Sequence, residues 1–356
     1  MGFVWAILLF SVLIFVHELG HFLAAKAFGV QVNEFALFMG PAIFKKKVGD
    51  TTYSLRCIPI GGYCAMEGED QDTDSPASFQ KASWWKRLVI LVAGAFMNFI
   101  IGLLLMFIVV APEESVINNV ISHIEPESSL SAYLQEGDEI LKIDGERIYI
   151  QSDFGTILAL YPGETHDVVV LRDGNKVEIE DVVFEAKIFE RDYSDPTIKE
   201  VVPRYGITFT EEKLNLGSKI QYAWKETINS VRYVRLSLQM LLTGKAGLKD
   251  MSGPVGIGSM MTDIANSSSK TSVIINRMLW FGGFISVNLA VMNMLPVPAL
   301  DGGRSLGLLL VTAIEKTTKK KVNPKVEAVI HGIGLVLLLA LMAIVMFKDI
   351  FMIFKR

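Results

Sequence analysis

The stretch LIFVHELGHFLAA, residues 13–25, places two histidines and one glutamate inside an almost unbroken apolar run. The run covers residues 2–28, which is long enough to cross a bilayer, since a membrane helix needs about 20 apolar residues. Ionisable side chains inside such a span are costly and are functional by default. The stretch therefore predicts a membrane helix that carries a polar site.

His17, Glu18 and His21 form the pattern HExxH. Residues four apart lie on nearly the same face of a helix, because a helix has about 3.6 residues per turn. Both imidazoles can therefore bind one Zn²⁺, and the glutamate beside them can accept a proton from water. The structural alternative is a pair of histidines that only packs one helix against another.

Three further apolar windows are long enough to cross a membrane. They cover residues 88–111, 278–314 and 326–347, and the chain as a whole is 51% hydrophobic. A cleaved signal peptide is an alternative for the first window, but the chain begins Met-Gly-Phe-Val-Trp without a basic residue. The sequence therefore predicts four spans, which put both termini on the same side of the membrane.

The distribution of lysine and arginine predicts the orientation of these spans. Basic residues are concentrated within 45–87 and 316–325, between the first and second and between the third and fourth windows. Such loops stay in the cytoplasm, so both termini and residues 112–276 are expected outside it. Lys348, Lys355 and Arg356 run against this orientation. The net charge is only −4 and the basic residues are not gathered on one face, so nucleic acid is not an expected partner.

Residues 115–187 have the composition of a small β-rich domain. Their alternating apolar residues predict strands, and Asp173-Gly174 predicts the turn of a hairpin. The segment GDEILKIDG, residues 137–145, resembles a PDZ domain of the kind attached to bacterial proteases. A PDZ domain accepts an extended peptide as an added strand. A small β-domain without a binding role is the structural alternative.

Residues 188–272 are expected to form a strand and an amphipathic helix outside the cytoplasm. A polar linker at 190–200 precedes a short strand at 204–209, and apolar residues at helical spacing predict a helix over 216–242. This helix either packs against the β-domain or lies on the outer leaflet. MSGPVGIGSM, residues 251–260, predicts a loop rich in glycine and proline.

A third metal ligand is expected from the third window. A catalytic zinc typically has three protein ligands and one open position, and Asp301 is the only carboxylate in that window. Pro296 and Pro298 break the helix just before it, and Gly302-Gly303 follow it. The break can hold an aspartate at membrane depth, whereas an ordinary turn between two short helices is the structural alternative.

The segment TTYSLRCIPIGGYCAM, residues 51–66, alternates like a strand and contains a Gly-Gly kink. We expect a hairpin that turns back toward the membrane and pairs with an extended substrate by strand addition. Ile60, Gly61, Gly62 and Tyr63 are then substrate-binding residues. A plain cytoplasmic hairpin is the alternative.

Several motifs together resemble one family. HExxH in the first span, a PDZ-like unit between the second and third spans, and NLAVMNMLPVPALDGG at residues 288–303 are similar to the site-2 protease family of intramembrane zinc metalloproteases, in its RseP-like bacterial branch. GP at 40–41, IPIGGY at 58–63, AGAFMNF at 93–99 and SGPVGI at 252–257 agree with this resemblance, which covers essentially the whole chain. Ala95 stands where the family usually has proline, and Arg304 stands where some relatives have histidine.

The resemblance implies that His17, His21 and Asp301 are zinc ligands and that Glu18 is the catalytic acid/base. It also implies that Asn288 and Asn293 bind the substrate. The implied function is hydrolysis of peptide bonds within or near transmembrane segments of single-span membrane proteins, such as anti-sigma factors or remnant signal peptides, in regulated intramembrane proteolysis. The expected partners are these substrates and the lipid bilayer. A non-catalytic membrane PDZ adaptor is the alternative, but an adaptor has no need for a glutamate between the histidines.

The expected fold is a polytopic α-helical membrane protein with four transmembrane helices and an inserted extracytoplasmic PDZ-like β-domain, in a bacterial cytoplasmic membrane. Its expected segments are a first transmembrane helix with HExxH at 1–28, a cytoplasmic loop with a membrane re-entrant β-hairpin at 29–87, a second transmembrane helix at 88–111, the PDZ-like domain at 115–187, the extracytoplasmic strand and helix at 188–272, a third transmembrane helix with a broken LDGG segment at 273–315, and a basic loop with the fourth transmembrane helix at 316–356.

Overall fold

The computed structural model of the chain describes residues 2–69, 73–161, 163, 165–187, 204–268, 270–319 and 324–355. Its helices are α1 (Gly2–Ala27), α2 (Trp84–Val110), α3 (Gln151–Leu160), α4 (Leu216–Leu242), α5 (Pro254–Asn266), α6 (Thr271–Asn293), α7 (Asp301–Thr318) and α8 (Pro324–Lys355). Its strands are β1 (Val32–Val48), β2 (Thr51–Met66), β3 (Ser115–Ile124), β4 (Glu139–Ile143), β5 (Glu146–Arg147), β6 (Thr165–Arg172), β7 (Asn175–Val183) and β8 (Ile207–Lys213). Short 3₁₀ helices lie at Phe79–Lys81, Ser129–Ala132 and Leu248–Asp250.

The chain divides into two compact units. One consists of Met1–Val109 together with Ser230–Arg356, and the other is Val110–Asn229. Four helices of the described chain are long and apolar enough to cross a membrane, namely Val4–Ala27, Trp84–Val110, Thr271–Asn293 and Val329–Met352. Each overlaps one of the four apolar windows of the sequence, but the third ends at Asn293, whereas its window continues to residue 314. The helix break expected at the two prolines is confirmed, because irregular residues 294–300 separate α6 from α7.

Two clusters of buried apolar side chains hold the larger unit together by close packing. The first cluster joins α1, the β1–β2 hairpin, α2 and α7 through Ala25, Val30, Val32, Phe35, Cys64, Met66, Phe79, Ile90, Leu91 and Leu308. The second joins α1, α5 and α6 through Ala6, Leu13, Met261, Phe281 and Ile285.

Glycines let the membrane helices approach one another closely. A Cβ on Gly20 of α1 would lie 2.3 Å from the carbonyl oxygen of Ala93 in α2, and a Cβ on Gly102 of α2 would lie 2.5 Å from Val287 Cγ2 in α6. Because the hydrophobic effect does not hold helices together in lipid, they associate by van der Waals packing, and small residues at such crossings permit the close approach that this packing needs. α2 is therefore packed tightly between α1 and α6.

In the β1–β2 hairpin, β1 is paired along both of its edges. Residues 34–37 pair with 62–65 on one edge and with 52–55 on the other, and residues 42–48 pair with 51–56. β2 reaches both edges because it bends near Gly61, whose φ of 80° is readily adopted only by glycine. Among the described residues, the outer edge of residues 62–66 has no strand partner.

A polar network stabilises the bend of the hairpin. Ser54 and Arg56 donate hydrogen bonds to Glu34 Oε1 at 2.6 and 2.8 Å, and Arg56 also donates to the Gly40 carbonyl at 2.6 Å. Burial alone would raise the pKa of Glu34, but hydrogen bonds from Ser54, Arg56 and Tyr63 lower this pKa to about 2. Because the ordinary pKa is about 4.3, the network's contribution to stability is present above that pH and is lost as the pH falls toward 2.

The prediction of a loop at residues 251–260 was wrong, because α5 begins at Pro254. Asp349 of α8 is 3% exposed, and its Oδ2 accepts hydrogen bonds from the backbone N–H groups of Gly253 and Gly256, both at 2.8 Å. A Cβ on either glycine would lie 3.0 Å from this oxygen. A carboxylate from α8 thus caps the start of α5, where the unpaired N–H groups and the helix dipole favour negative charge.

The smaller unit is built around an antiparallel sheet in the order β7-β6-β4-β3-β8. The hairpin turn at Asp173-Gly174 is confirmed, since Arg172 pairs with Asn175 and both turn residues have positive φ. β8 pairs with β3, so the sheet extends past residue 187. The polar linker expected at residues 190–200 lies outside the described residues, and α4 covers the helix expected over 216–242.

Candidate metal centre

Three ligand-type side chains converge at one point between α1 and α7. The imidazoles of His17 and His21 lie edge to face with ring centroids 4.8 Å apart, as expected for residues four apart in a helix. Asp301 Oδ2 lies 3.0 Å from His17 Nε2 and 3.3 Å from His21 Nε2. The two Nε2 atoms are 3.2 Å apart. One metal ion could be held by these three atoms.

The turn of residues 294–300 sets the position of Asp301, which is the first residue of α7. Ala299 has a φ of 78°, a left-handed conformation that is unfavourable for a residue with a Cβ. A Cβ on Gly302 would lie 2.3 Å from the Met294 carbonyl oxygen, and a Cβ on Gly303 would lie 2.1 Å from the Val297 carbonyl oxygen. The double glycine therefore lets the first turn of α7 fold back onto the segment that precedes it.

Residues of α2 orient the two imidazoles. His21 Nδ1 lies 2.8 Å from the Ile90 carbonyl oxygen, which can only accept a hydrogen bond, so Nδ1 carries the proton and Nε2 presents a lone pair. His17 Nδ1 lies 3.4 Å from Asn98 Nδ2, and the buried Asn98 Oδ1 has no hydrogen-bond partner among the described residues. A half-turn of this amide would let Oδ1 accept from His17 Nδ1 and would leave the second Nε2 free as well.

The donor set fits a zinc ion. Asp301 Oδ2 is buried and has no hydrogen-bond partner among the described residues, although both Nε2 atoms lie close to it. With the imidazole protons on Nδ1, two lone pairs and a carboxylate oxygen face one another, and this arrangement is repulsive unless a cation lies between them. Two imidazole nitrogens and one carboxylate oxygen are a ligand set typical of catalytic zinc.

The centre also needs an empty space on the side of α2, and Gly94 provides it. A Cβ on Gly94 would lie 2.4 Å from His21 Nε2 and 2.8 Å from His17 Nε2. Gly94 and Asn98 lie four residues apart and therefore on one face of α2. Neither residue was among the predicted site residues, although a glycine and an asparagine on one face of the otherwise apolar stretch 88–110 were a usable signal.

We expect Gly94→Ala to weaken zinc binding by at least about tenfold, because even changes next to metal ligands typically cost 10–100-fold in affinity. The added methyl group would occupy the space in front of both Nε2 atoms. Zinc affinity is measured by competition with a chelator. Phe96→Ala is the control, since Phe96 is on the same helix and is 57% exposed. Equal affinity in Gly94→Ala and the control would contradict the prediction.

Glu18 lies between the metal-ligand candidates and the hairpin. Its carboxylate accepts a hydrogen bond from the backbone N–H of Cys64 and interacts electrostatically with both histidines and Asp301. The Glu18 Cγ lies 3.7 Å from the position of a Cβ built on Gly62. The unpaired strand edge of residues 62–66 therefore passes directly beside this carboxylate.

The other substrate-binding residues expected from the sequence differ in what surrounds them. Asn288 Nδ2 donates to the Phe284 carbonyl of its own helix at 2.9 Å. Asn293 is the last residue of α6. Gly61, Gly62 and Tyr63 lie in β2, as does the backbone of Ile60.

Arg304 forms an ion pair with Glu69 just after β2. This pair connects the first turn of α7 to the exit of the hairpin. Cys64 is a buried free thiol and Cys57 an exposed one. Burial, followed by the charges of Glu18 and Glu69, raises the pKa of the Cys64 thiol, so it stays protonated.

Comparison with known proteins gives matches over nearly the whole chain. A family model described as Peptidase family M50 matches residues 5–341. A Clostridium perfringens protein whose name places it among the zinc metalloproteases is 37% identical over 354 residues, covering 98% of each chain. The regulator of sigma-W protease RasP of Bacillus subtilis is 28% identical over 430 residues, covering 97% of each chain. The zinc metalloprotease RasP of Geobacillus kaustophilus is 28% identical over 425 residues, covering 97% of this chain and 96% of its own.

Proposed function

The chain belongs to peptidase family M50 and is an intramembrane zinc metalloprotease of the site-2 type, and on this basis we propose that it cleaves single-span membrane proteins within or near their transmembrane segments. The observation that carries the proposal is the convergence of three ligand-type side chains: His17 and His21 on the apolar span Val4–Ala27, and Asp301 at the start of α7. A site on such a helix suits a membrane-embedded peptide as its substrate.

We propose that His17, His21 and Asp301 hold the zinc through Nε2, Nε2 and Oδ2. When bound there, zinc would supply a Lewis acid for the scissile carbonyl and would lower the pKa of water to about 7. Glu18 takes the proton of the attacking water and returns it to the leaving amine. Its hydrogen bond from the Cys64 N–H supports this role, because it keeps the carboxylate directed at the strand edge beside the three ligands.

The hairpin is proposed to bind the substrate in an extended conformation. Because the Cys64 N–H points toward Glu18, the alternation of a strand makes the Gly62 N–H point the same way and the Tyr63 N–H point toward β1. A substrate paired with this edge would pass Glu18. Pairing also answers an energetic need, since each backbone group freed by unwinding a substrate helix in lipid costs several kcal/mol if it stays unpaired.

Re-entry of the hairpin into the membrane is supported by its contact with α1. Ser11 Oγ lies 3.5 Å from the Pro59 carbonyl oxygen, and Ser11 is within the apolar span Val4–Ala27. The hairpin also exposes several large apolar side chains, which are Met39, Ile43, Phe44, Leu55 and Ile58. Such exposure suits a lipid environment, whereas Lys45, Lys46 and Lys47 suit its cytoplasmic boundary.

We expect Tyr63→Pro to lower kcat/KM by about tenfold or more while zinc content stays at the wild-type level. Proline removes the N–H that faces β1 and distorts the edge beside Glu18. Cleavage of a single-span substrate is measured together with bound zinc, and Ile60→Pro is expected to act in the same way. Lys46→Pro is the control, because Lys46 pairs with Tyr53 in the outer part of the hairpin. Unchanged cleavage in Tyr63→Pro would eliminate the strand-pairing model.

The two asparagines are proposed to bind the substrate backbone near the metal. Asn288 Nδ2 is engaged by the Phe284 carbonyl, which leaves Oδ1 as its acceptor for a substrate N–H. Asn293 ends α6 just before the turn that leads to Asp301, so its amide is proposed to stabilise negative charge that develops on the scissile carbonyl.

The smaller unit is proposed to be a PDZ-like domain that selects substrates. Support comes from its antiparallel sheet with the edge strands β7 and β8 among the described residues, since an edge strand can accept an extended peptide. We further propose a bacterial cytoplasmic membrane location with both termini and this unit extracytoplasmic. The name of the Bacillus subtilis relative, a regulator of a sigma factor, supports anti-sigma factors as a substrate class beside remnant signal peptides.

The test is cleavage of a single-span model substrate by purified protein in lipid nanodiscs. We expect cleavage inside or at the edge of the apolar segment, located by mass spectrometry, with loss of activity after chelation and recovery after Zn²⁺ is added back. A matched substrate with helix-breaking residues near the cut is expected to be cleaved faster, because it unwinds more easily. Cleavage confined to soluble flanking segments would contradict the proposal, as would zinc-loaded protein that cleaves neither substrate.

A further inference from the structure

Helix α8 touches the turn that leads to Asp301, although most of its surface faces outward. Ile333, Val336 and Leu337 are each more than half exposed, at 59%, 66% and 65%, whereas Gly334 is buried. A Cβ on Gly334 would lie 2.3 Å from Pro298 Cβ and 2.8 Å from the Pro298 carbonyl oxygen. The α8 backbone is therefore pressed directly against the turn of residues 294–300.

A hydrogen bond accompanies this contact. The backbone N–H of Ala299 donates to His331 Nδ1 at 3.1 Å. His331 and Gly334 are three residues apart and therefore lie on the same face of α8. An unpaired backbone N–H at membrane depth is strongly unfavourable, so His331 supplies an acceptor that the turn itself does not provide.

The conformation at Ala299 decides how the chain enters α7. Its φ of 78° is in the left-handed region, where a residue with a Cβ persists only if its surroundings hold it there. Leu300 follows as the residue before α7, and its carbonyl accepts the Arg304 N–H at 3.0 Å. Asp301 comes next, so a rotation at Ala299 would redirect its carboxylate away from the two imidazoles.

We propose that His331 and Gly334 are positioning residues for Asp301, and that α8 is the template that holds the turn of residues 294–300 in its metal-binding conformation. The role rests on the proposed function of Asp301 as a zinc ligand. His331 fixes the turn through its Nδ1 acceptor, and Gly334 admits the Pro298 backbone. Both residues contact the turn, and they act on Asp301 through it.

Two glycines of α8 give a matched first test. We expect Gly334→Ala to weaken zinc binding by about tenfold, because its methyl group would displace Pro298, whereas Gly332→Ala has open space for its Cβ and should bind zinc as the wild type does. Affinity is measured by chelator competition on the full-length protein in nanodiscs. Equal zinc affinity in the two variants would overturn the proposal.

The second test asks whether the hydrogen-bond acceptor matters. We expect His331→Leu to weaken zinc binding by about tenfold and to alter the visible absorption of the Co²⁺-substituted protein, because the ligand geometry changes. His331→Asn should keep the zinc affinity and the Co²⁺ absorption of the wild type, since its Oδ1 can take the place of Nδ1 as acceptor. Loss in both variants would show that bulk alone matters and would overturn the role of His331, as would wild-type affinity in His331→Leu.

Asp301→Asn separates failure of this proposal from failure of the ligand assignment. If Asp301→Asn loses zinc while His331→Leu and Gly334→Ala keep it, the ligand set stands and the positioning role is wrong. If Asp301→Asn binds zinc as tightly as the wild type does, the ligand assignment itself is wrong and the positioning role falls with it.

Discussion

Glu18→Gln is expected to abolish peptide cleavage while leaving zinc binding intact. Glutamine keeps the size of the side chain and an oxygen that can accept the Cys64 N–H, but it cannot take a proton from water. General acid–base catalysis typically contributes 10²–10⁴-fold, so kcat should fall by about 10³-fold. The rate is measured with the single-span model substrate, and bound zinc is measured by mass spectrometry on the same sample.

Glu18→Asp is the companion variant, because it keeps the carboxylate and shortens its reach. We expect an activity between those of the wild type and Glu18→Gln, with zinc content unchanged in all three proteins. Should Glu18→Gln retain more than about a tenth of the wild-type kcat, another group must move the proton. Loss of zinc together with activity would instead assign Glu18 a structural role in the centre.

Asp301→Asn is expected to lower zinc affinity by more than about 100-fold and to eliminate cleavage. The amide keeps the shape of the side chain but removes the negative charge that faces both Nε2 atoms. Changes to groups that only support ligands already cost 10–100-fold, so loss of a charged ligand should cost more. Chelator competition measures the affinity, and a thermal unfolding curve checks that the protein is folded.

Asp349→Asn makes the same chemical change at a buried carboxylate outside the metal centre. It weakens the cap on α5, and loss of a helix cap typically costs about 0.5–2 kcal/mol of stability. We expect a lower melting temperature but bound zinc at the wild-type level. If Asp301→Asn and Asp349→Asn lose zinc equally, the effect of Asp301→Asn arises from general destabilisation.

The parts of the fold that could be predicted are those encoded by local patterns. The HExxH spacing follows from helix geometry, and Asp301 stood out as the one carboxylate in an apolar window interrupted by prolines. The turn at Asp173-Gly174 also depends only on neighbouring residues. In each case the physical cause lies within a few positions of the residue concerned.

The parts that could not be predicted depend on contacts between distant segments. Gly256 disfavours a helix locally, and the carboxylate that caps the start of α5 belongs to Asp349, 96 and 93 positions after Gly253 and Gly256. The pairing of β1 along both edges depends on the bend of β2 at Gly61. β8 pairs with β3 although residues 125–206 separate the two strands in the sequence. Local patterns do not predict the pairing register of strands so far apart.

The cap on α5 affects the order in which contacts form while the chain is being synthesised. The ribosome reaches Asp349 only after it has added 93 residues beyond Gly256, which takes about 5–20 s at typical rates of synthesis. The contact of α8 with the Asp301 turn is delayed in the same way. The turn that leads to Asp301 can therefore acquire its contacts with α8 only after α8 has been synthesised.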